Sequence, residues 1–286
     1  MTHIIDGKVL ARSIRQSVKE EVDVLFEKTQ TRPHLVVVLI GDDPASHSYV
    51  KAKEKACAQA GIRSTKITQD TTLTEEALLA LLESLNRDDD VHGILVQLPL
   101  PAHIDENKVL LTIQKAKDVD GFHPLNIAAL HMNEDGILPA TPKGVLTMLK
   151  STGIDMKGKK AVVVGRSNIV GKPTAALLLQ EHATVTIAHS RTVDLASHTR
   201  DADILIAAAG RAKMIDASMI KDGAVVIDVG VNRVDDRLVG DVDYDGVMGK
   251  ASYLTPVPGG VGPMTIASLL ENTLECFKKI KGLNHD

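Results

Sequence analysis

The strongest constraint on this chain is an alternation: short, uninterrupted runs of β-branched and other apolar residues take turns with longer stretches patterned for helix. Residues 35–40 form the first such run, and Gly41 and Asp42 end it. Residues 45–60 read as a helix, with Ser46 near its start and Gly61 at its end. Residues 66–68 read as a short strand and 75–86 as an apolar-striped helix. A second buried strand at 93–97 is stopped by Leu98-Pro99-Leu100-Pro101, and 104–113 is again helical. The second half repeats the order, with a strand at 161–164, a helix at 172–181 and a strand at 184–188. After a short helix, strands follow at 202–208 and 224–229. Strands that are apolar throughout are buried on both faces, and strand–helix–strand order gives a parallel sheet covered by helices. Aromatic residues make up only 2% and Trp is absent, so aliphatic side chains must fill the core.

A chain of 286 residues is long for one core and comfortable for two. Turn residues cluster within 123–142 (Gly136, Pro139, Pro142), which marks a boundary. The last helix, 265–280, follows a Pro/Gly loop and is expected to return to the first domain. The expected organisation is two α/β domains around a cleft, 1–139 plus 265–286 and 140–264, the second a Rossmann-type parallel sheet. A formal net charge of −4 argues against a nucleic-acid or membrane-surface partner, which favours a basic stripe. No apolar run reaches bilayer length, and residues 1–12 lack the basic and apolar regions of a secretion signal. Two cysteines without a CxxC spacing suit a reduced compartment, so a cytoplasmic protein is expected.

Residues 161–173 combine a strand, a turn and a helix start. Gly165 opens the turn, Ser167 stands where a second glycine is usual, and Gly171 comes late. Gly165 permits a tight turn, and Gly171 permits close packing or approach to a phosphate. Free N–H groups at the helix start suit a pyrophosphate. Sites for NAD place a carboxylate at the end of the next strand, to hold the ribose 2′-hydroxyl. This chain has His189-Ser190-Arg191-Thr192 there instead. Arginine and hydroxyl attract a 2′-phosphate that a carboxylate would repel, which selects NADP, with Arg166 as a second cation. The alternative is that Arg166 and Arg191 are solvated loop residues. A Walker A loop is excluded by the glycine spacing and by Pro173 where its hydroxyl would stand.

In open parallel sheets ligands lie beyond the carboxyl ends of the strands. Tyr49 and Lys53 are four apart on a helix and share a face, so they qualify as an acid–base pair. Spacing alone favours the plainer reading, an exposed lysine among Lys51, Lys53 and Lys55 with Tyr49 as packing. Gln97 closes an apolar strand, either to orient a substrate or a lysine or as an ordinary strand-end hydrogen bond. Asp118 and Asp120 share a turn, either to bind a heterocycle's N–H groups or to form the turn. Asp241, Asp243 and Asp245 copy the start of an EF-hand loop, but Ser252 replaces its final Glu. Eleven histidines show no metal-ligand spacing, no GxSxG elbow occurs, and no metal is expected.

Several segments together carry a resemblance. They are Ser48-Tyr49-Val50 with Lys53, GILVQLPLP at 93–101, KDVDGFHP at 117–124, GRS at 165–167 with Val170-Gly171, and TPVPGGVGPMT at 255–265. Over nearly the whole chain the sequence resembles the bifunctional methylenetetrahydrofolate dehydrogenase/cyclohydrolase family. The resemblance implies NADP-dependent oxidation of 5,10-methylenetetrahydrofolate to the methenyl cation, then hydrolysis to 10-formyltetrahydrofolate. By resemblance, Lys53 is the proton-transfer residue of the hydrolysis, flanked by Tyr49 and Gln97, which hold the substrate. Asp120 binds the pterin edge, and Pro258, Gly259 and Gly260 help close on the substrate. Gly165, Arg166, Ser167, Ser190 and Val231 contact NADP, joined by Arg191 from the reading above. The resemblance further implies a homodimer serving one-carbon metabolism and purine biosynthesis. One departure is Ala140, where many relatives have Cys. Two other readings stay open at this point: a dehydrogenase with weak or absent cyclohydrolase activity, and a non-catalytic nucleotide sensor.

Overall fold

The computed structural model describes residues 1–283. Its first half runs β1 (His3–Ile4), α1 (Gly7–Thr29), β2 (His34–Ile40), α2 (Pro44–Gln59), β3 (Arg63–Gln69), α3 (Glu75–Arg87), β4 (Gly93–Val96) and α4 (Glu106–Thr112). Two helices follow, α5 (Pro124–Met132) and α6 (Ala140–Ser151). Then come β5 (Lys160–Val164), α7 (Gly171–Gln180), β6 (Thr184–Ala188), α8 (Leu195–Thr199), β7 (Ile204–Ala207) and β8 (Val225–Asp228). The chain ends in β9 (Asn232–Val234), β10 (Arg237–Val239), α9 (Tyr244–Val247), β11 (Tyr253–Leu254) and α10 (Val261–Ile280). Among the described residues no helix is long and apolar enough to cross a membrane.

Two compact units form: residues 1–11 with 141–265, and residues 12–140 with 266–286. The expected division assigned residues 1–11 to the other domain. They belong with 141–265 because β1 pairs in parallel with β11, His3 against Tyr253 and Ile4 against Leu254. Two-residue strands carry no periodicity, so this pairing leaves no trace in the sequence.

In the unit containing 12–140 the sheet order is β3-β2-β4, all parallel. Every residue of β2 is buried. Leu35, Val37 and Leu39 pack with Val50 and Cys57 of α2 and with Phe277 of α10. Val36, Val38 and Ile40 point the other way, into a cluster with Leu78 and Leu82 of α3 and Val109 of α4. The period of two along a wholly apolar strand thus feeds two cores, as a parallel sheet between helix layers requires. The α2 helix is capped by Asp43 rather than Ser46: the Ser46 amide donates to Asp43 Oδ2 at 2.8 Å. Thr74 and Asp105 cap α3 and α4 in the same way, each contributing about 1 kcal/mol.

The unit containing 141–265 holds a parallel sheet of order β1-β11-β8-β7-β5-β6. The antiparallel pair β9–β10 stands outside it. Strand order reverses after β5, with β6 on one side and β7 on the other. In the smaller sheet it reverses after β2, with β3 and β4 on its two sides. Such reversal points are where open parallel sheets leave room for ligands.

Three further expectations are revised. Residues 63–69, not only 66–68, form the third strand. The turn-rich stretch 123–142 holds α5 and the start of α6, because Pro124 sits at the first helical position, where its missing N–H costs nothing. The last helix starts at Val261, earlier than 265, with Pro263 tolerated in its first turn. The α1 helix is additional to the expected elements, with Ala11, Val18 and Val22 buried at helical spacing.

Candidate active site

Lys53 lies on α2, the helix that follows β2, and is 7% exposed. Its Nζ donates to Oε1 of Gln97 at 3.0 Å. Gln97 is the first residue past β4, held by its amide to the Val38 carbonyl of β2 at 2.9 Å. Its own Nε2 donates to the Leu98 carbonyl at 2.7 Å, which leaves Oε1 turned to the lysine. The Leu98–Pro99 peptide is cis. The pair therefore stands where the small sheet's strand order reverses. The plain reading of Lys53 as an exposed surface lysine does not hold. Tyr49, one turn earlier on α2, is 41% exposed.

The segment 117–124 divides its charges by role. Lys117 Nζ donates to the carbonyls of Leu85, Asn86 and Asp88 and closes the C-terminus of α3. Asp118 is buried and accepts from the amides of Gly121 and His123 and from Asn126 Nδ2, at 3.1, 2.7 and 2.9 Å. Asp118 is thus the turn former. The carboxyl of Asp120 takes no part in that network. Burial raises it to about 6, with the Asp118 charge adding and the Lys53 ammonium opposing. Burial likewise holds the Lys53 ammonium below the usual lysine range, while the Asp120 carboxylate pulls it back up. A buried amine and a half-buried carboxyl that each resist ionisation, and each stabilise the other's charge, form a pair suited to proton transfer.

The remaining residues singled out from the sequence belong to the other unit. Gly165 has φ +142, and a Cβ there would lie 2.2 Å from the Ala208 carbonyl oxygen. A Cβ on Gly171 would lie 2.2 Å from the Gly165 carbonyl oxygen. Both glycines therefore serve close backbone packing at the β5–β7 reversal. The helix-start amides are not free as expected: Ser167 Oγ accepts from the amides of Val170 and Gly171, at 3.2 Å each. Ser167 replaces the usual glycine by acting as a side-chain cap, and its own hydroxyl proton stays available. The amides of Arg166, Ser167, Asn168 and Ile169 find no acceptor among the described residues, so the donors for an anion lie in the turn itself.

At the end of β6 the His189 amide donates to Thr192 Oγ1 at 2.8 Å, and the Arg191 amide to His189 Nδ1 at 3.1 Å. This small loop contains no carboxylate. Ser190, Arg191 and Arg166 are exposed, and neither arginine has a carboxylate partner among the described residues. Val231 follows β8 and is 52% exposed. Glycines, turn amides, hydroxyls and unpaired arginines fit a dinucleotide with an extra phosphate. Pro258, after a cis Val257–Pro258 peptide, is exposed, whereas Gly259 and Gly260 are buried. A Cβ on Gly7 would collide with the Gly260 carbonyl, so this loop packs directly on the start of α1.

Two buried carboxylates were not anticipated as part of the site. Asp228 ends β8, and Asp241, set aside as a false EF-hand start, is fully buried. The signal for Asp228 was an acid closing an otherwise apolar run, the same kind of signal as Gln97. Among the described residues no group of three or more His, Cys, Asp or Glu side chains is placed to hold a metal ion.

The model of the tetrahydrofolate dehydrogenase/cyclohydrolase catalytic domain matches residues 5–120, and that of the family's NAD(P)-binding domain matches residues 139–281. A bifunctional protein FolD from Geobacillus thermodenitrificans is 59% identical over 278 residues, covering 97% of this chain and 98% of the relative. The crystal structure of the bifunctional FolD enzyme of Campylobacter jejuni is 49% identical, with a TM-score of 0.96 over 98% of this chain and 99% of that one. The methylenetetrahydrofolate dehydrogenase-cyclohydrolase of Trypanosoma brucei, solved with NADP and an inhibitor, is 41% identical, with a TM-score of 0.94 over 97% of this chain and 98% of that one. With both family domains matched and full-length relatives at this identity, the chain belongs to the tetrahydrofolate dehydrogenase/cyclohydrolase family.

Proposed function

We propose that this enzyme oxidises 5,10-methylenetetrahydrofolate with NADP and hydrolyses the methenyl product to 10-formyltetrahydrofolate. The observation that carries the reading is the hydrogen bond of the buried Lys53 to Gln97, with the Asp120 carboxyl in its electrostatic reach. Bound NADP supplies the hydride acceptor. Ser167 and the amides of the 166–169 turn address its pyrophosphate, Gly165 lets the backbone approach, and Val231 borders the cofactor. Ser190, Arg191 and Arg166 hold the 2′-phosphate through charge-assisted hydrogen bonds. Hydride transfer itself asks mainly for placement of the two carbons.

Hydrolysis asks for proton traffic. The methenyl product is a cation, so a neutral lysine is both the better neighbour and the better base. Burial keeps Lys53 toward that neutral form. Its amine takes a proton from the water that adds to the methenyl carbon, and the resulting ammonium protonates the ring nitrogen as the C–N bond breaks. Gln97 Oε1 holds the amine in place. Asp120 accepts hydrogen bonds from the pterin N–H groups, Tyr49 flanks the folate, and Pro258, Gly259 and Gly260 are assigned to substrate binding by resemblance to the family. A two-wavelength assay following NADPH and the methenyl intermediate together tests the proposal. NADPH formed with transient methenyl compound supports it, and no NADPH from the folate substrate refutes it.

A homodimer accords with β6, an edge strand on which Thr184, Thr186 and Ile187 are exposed. Sedimentation at micromolar concentration checks it, with a monomer as the refuting result. The buried free thiol of Cys57 accords with a cytoplasmic setting, and the two activities with one-carbon supply to purine biosynthesis.

A further inference from the structure

Asp241 lies thirteen residues beyond the end of β8, and none of its surface is exposed. Its carboxylate is saturated with donors. Oδ2 accepts from the amides of Ala209 and Gly210, at 2.6 and 2.9 Å. Oδ1 accepts from the Arg211 amide at 2.8 Å and from Asn232 Nδ2 at 2.9 Å. Three consecutive amides converging on one anion form a nest, and here the anion is the protein's own. The tied segment 209–211 is the loop leaving β7, and Asn232 opens β9, where the loop leaving β8 ends. One carboxylate therefore fixes both loops.

Each loop touches the candidate cofactor site. Ala208, immediately before the tied amides, is the residue whose carbonyl a Cβ on Gly165 would strike at 2.2 Å. Val231 stands between Asn232, held by Asp241, and Gly230, whose amide donates to Asp228 Oδ1 at 3.0 Å. Asp228 Oδ1 accepts in turn from the Asp241 amide at 3.0 Å, so the two acids form one brace. The fit excludes side chains: a Cβ on Gly230 would lie 2.2 Å from Asp241 Oδ1, and one on Gly240 would lie 1.8 Å from Asp228 Oδ2. Neither carboxylate retains an open face for a ligand or an ion.

We infer that Asp241 is a positioning residue for NADP, setting the loops after β7 and β8 against the Gly165 turn without touching the cofactor. The inference rests on the cofactor reading given above. Carboxylate is the required chemistry, because the group is met by four N–H donors and offers only acceptors. An asparagine there sets its own NH2 against at least one of those donors, releases part of a loop, and leaves the volume filled.

The test compares the intact enzyme with Asp241→Asn and, as a milder change, Asn232→Ala, which removes a single tie. NADP binding is titrated directly by calorimetry, dehydrogenase KM and kcat are measured, and hydrolysis of separately supplied methenyltetrahydrofolate is followed. Asp241→Asn is expected to raise the Kd and KM for NADP at least tenfold, with kcat at saturating cofactor within about threefold of the parent. Asn232→Ala moves both constants the same way by a smaller factor, and hydrolysis stays within about twofold in both variants. Unchanged NADP affinity in Asp241→Asn, or a fall in kcat at unchanged KM, overturns the inference. If Asp241→Asn does not fold, Asn232→Ala decides alone: an NADP affinity equal to the parent's overturns the inference, and a weakened one with normal hydrolysis supports it. A parent enzyme that fails to bind NADP instead overturns the cofactor reading, so the two failures are distinct.

Discussion

The Nζ of Lys53 donates a 3.0 Å hydrogen bond to Oε1 of Gln97, joining residues 44 apart in the chain. The contact exists because β2 and β4 are neighbours in the sheet, which brings the helix after one strand to the carboxyl end of the other. Gln97 presents a carbonyl oxygen and not a carboxylate, so the lysine is held without being locked into its charged form.

On the proposed function, Asp120 is expected to tune the pH at which Lys53 acts. Its charge draws the Lys53 ammonium upward while burial pushes it down. Removing the charge in Asp120→Asn lets burial act with less opposition, and Lys53 loses its proton at lower pH. Because the neutral amine is the base, the rising limb of the hydrolytic kcat–pH profile moves toward acid. Measurement of kcat against pH at saturating methenyl substrate checks this, and a shift toward alkali contradicts it.

On the proposed function, Arg191 is expected to discriminate between the two nicotinamide cofactors. It is exposed and lacks a carboxylate partner among the described residues, so its guanidinium is available to a 2′-phosphate. Arg191→Ala is expected to weaken NADP about 10- to 100-fold, the scale of one charge-assisted hydrogen bond. NAD, which has no such phosphate, should change by less than about twofold. Paired titrations with the two cofactors measure the difference, and an equal loss for both removes Arg191 from the 2′-phosphate site.

His92 makes stability depend on acid. It is fully buried, with Nδ1 accepting from the His34 amide at 3.2 Å and its ring edge-on to Phe277 at 4.8 Å. Its Nε2 has no hydrogen-bond partner among the described residues. Burial pulls its pKa from 6.5 to about 4, against a smaller pull from Asp90. The unfolded chain therefore binds this proton more tightly. The contribution is complete above pH 6.5 and declines as pH falls to about 4. It amounts to something on the order of 3 kcal/mol. His34 and His123, also lowered by burial, add in the same direction. Urea unfolding at several pH values should give a flatter acid limb for His92→Gln, and an unaltered slope would contradict the assignment.

The wholly apolar β2 was legible because no other element explains seven such residues bounded by Gly41, and Gly165 was legible because its strand precedes it and a helix follows. Other features were set by tertiary context. The β1–β11 pairing spans nearly the whole chain in two residues a side. Asp118 and Asp120 were equivalent on spacing, and only the folded turn, by engaging one, left the other for chemistry. Tyr49 and Lys53 share a helix face, yet their burial differs widely, because Lys53 lies toward Gln97 and Tyr49 does not. The α1 helix carries a helical period in Ala11, Val18 and Val22, diluted by the charged residues between them.

On the proposed function, Lys53 moves the proton of hydrolysis and plays no part in holding NADP. Lys53→Met keeps the length and burial of the side chain and removes its proton chemistry. Hydrolysis of methenyltetrahydrofolate, followed by loss of its absorbance, is predicted to fall at least a hundredfold or so, while NADP binds with the parent's affinity. Formation of 10-formyltetrahydrofolate by Lys53→Met at the parent's rate would contradict the account.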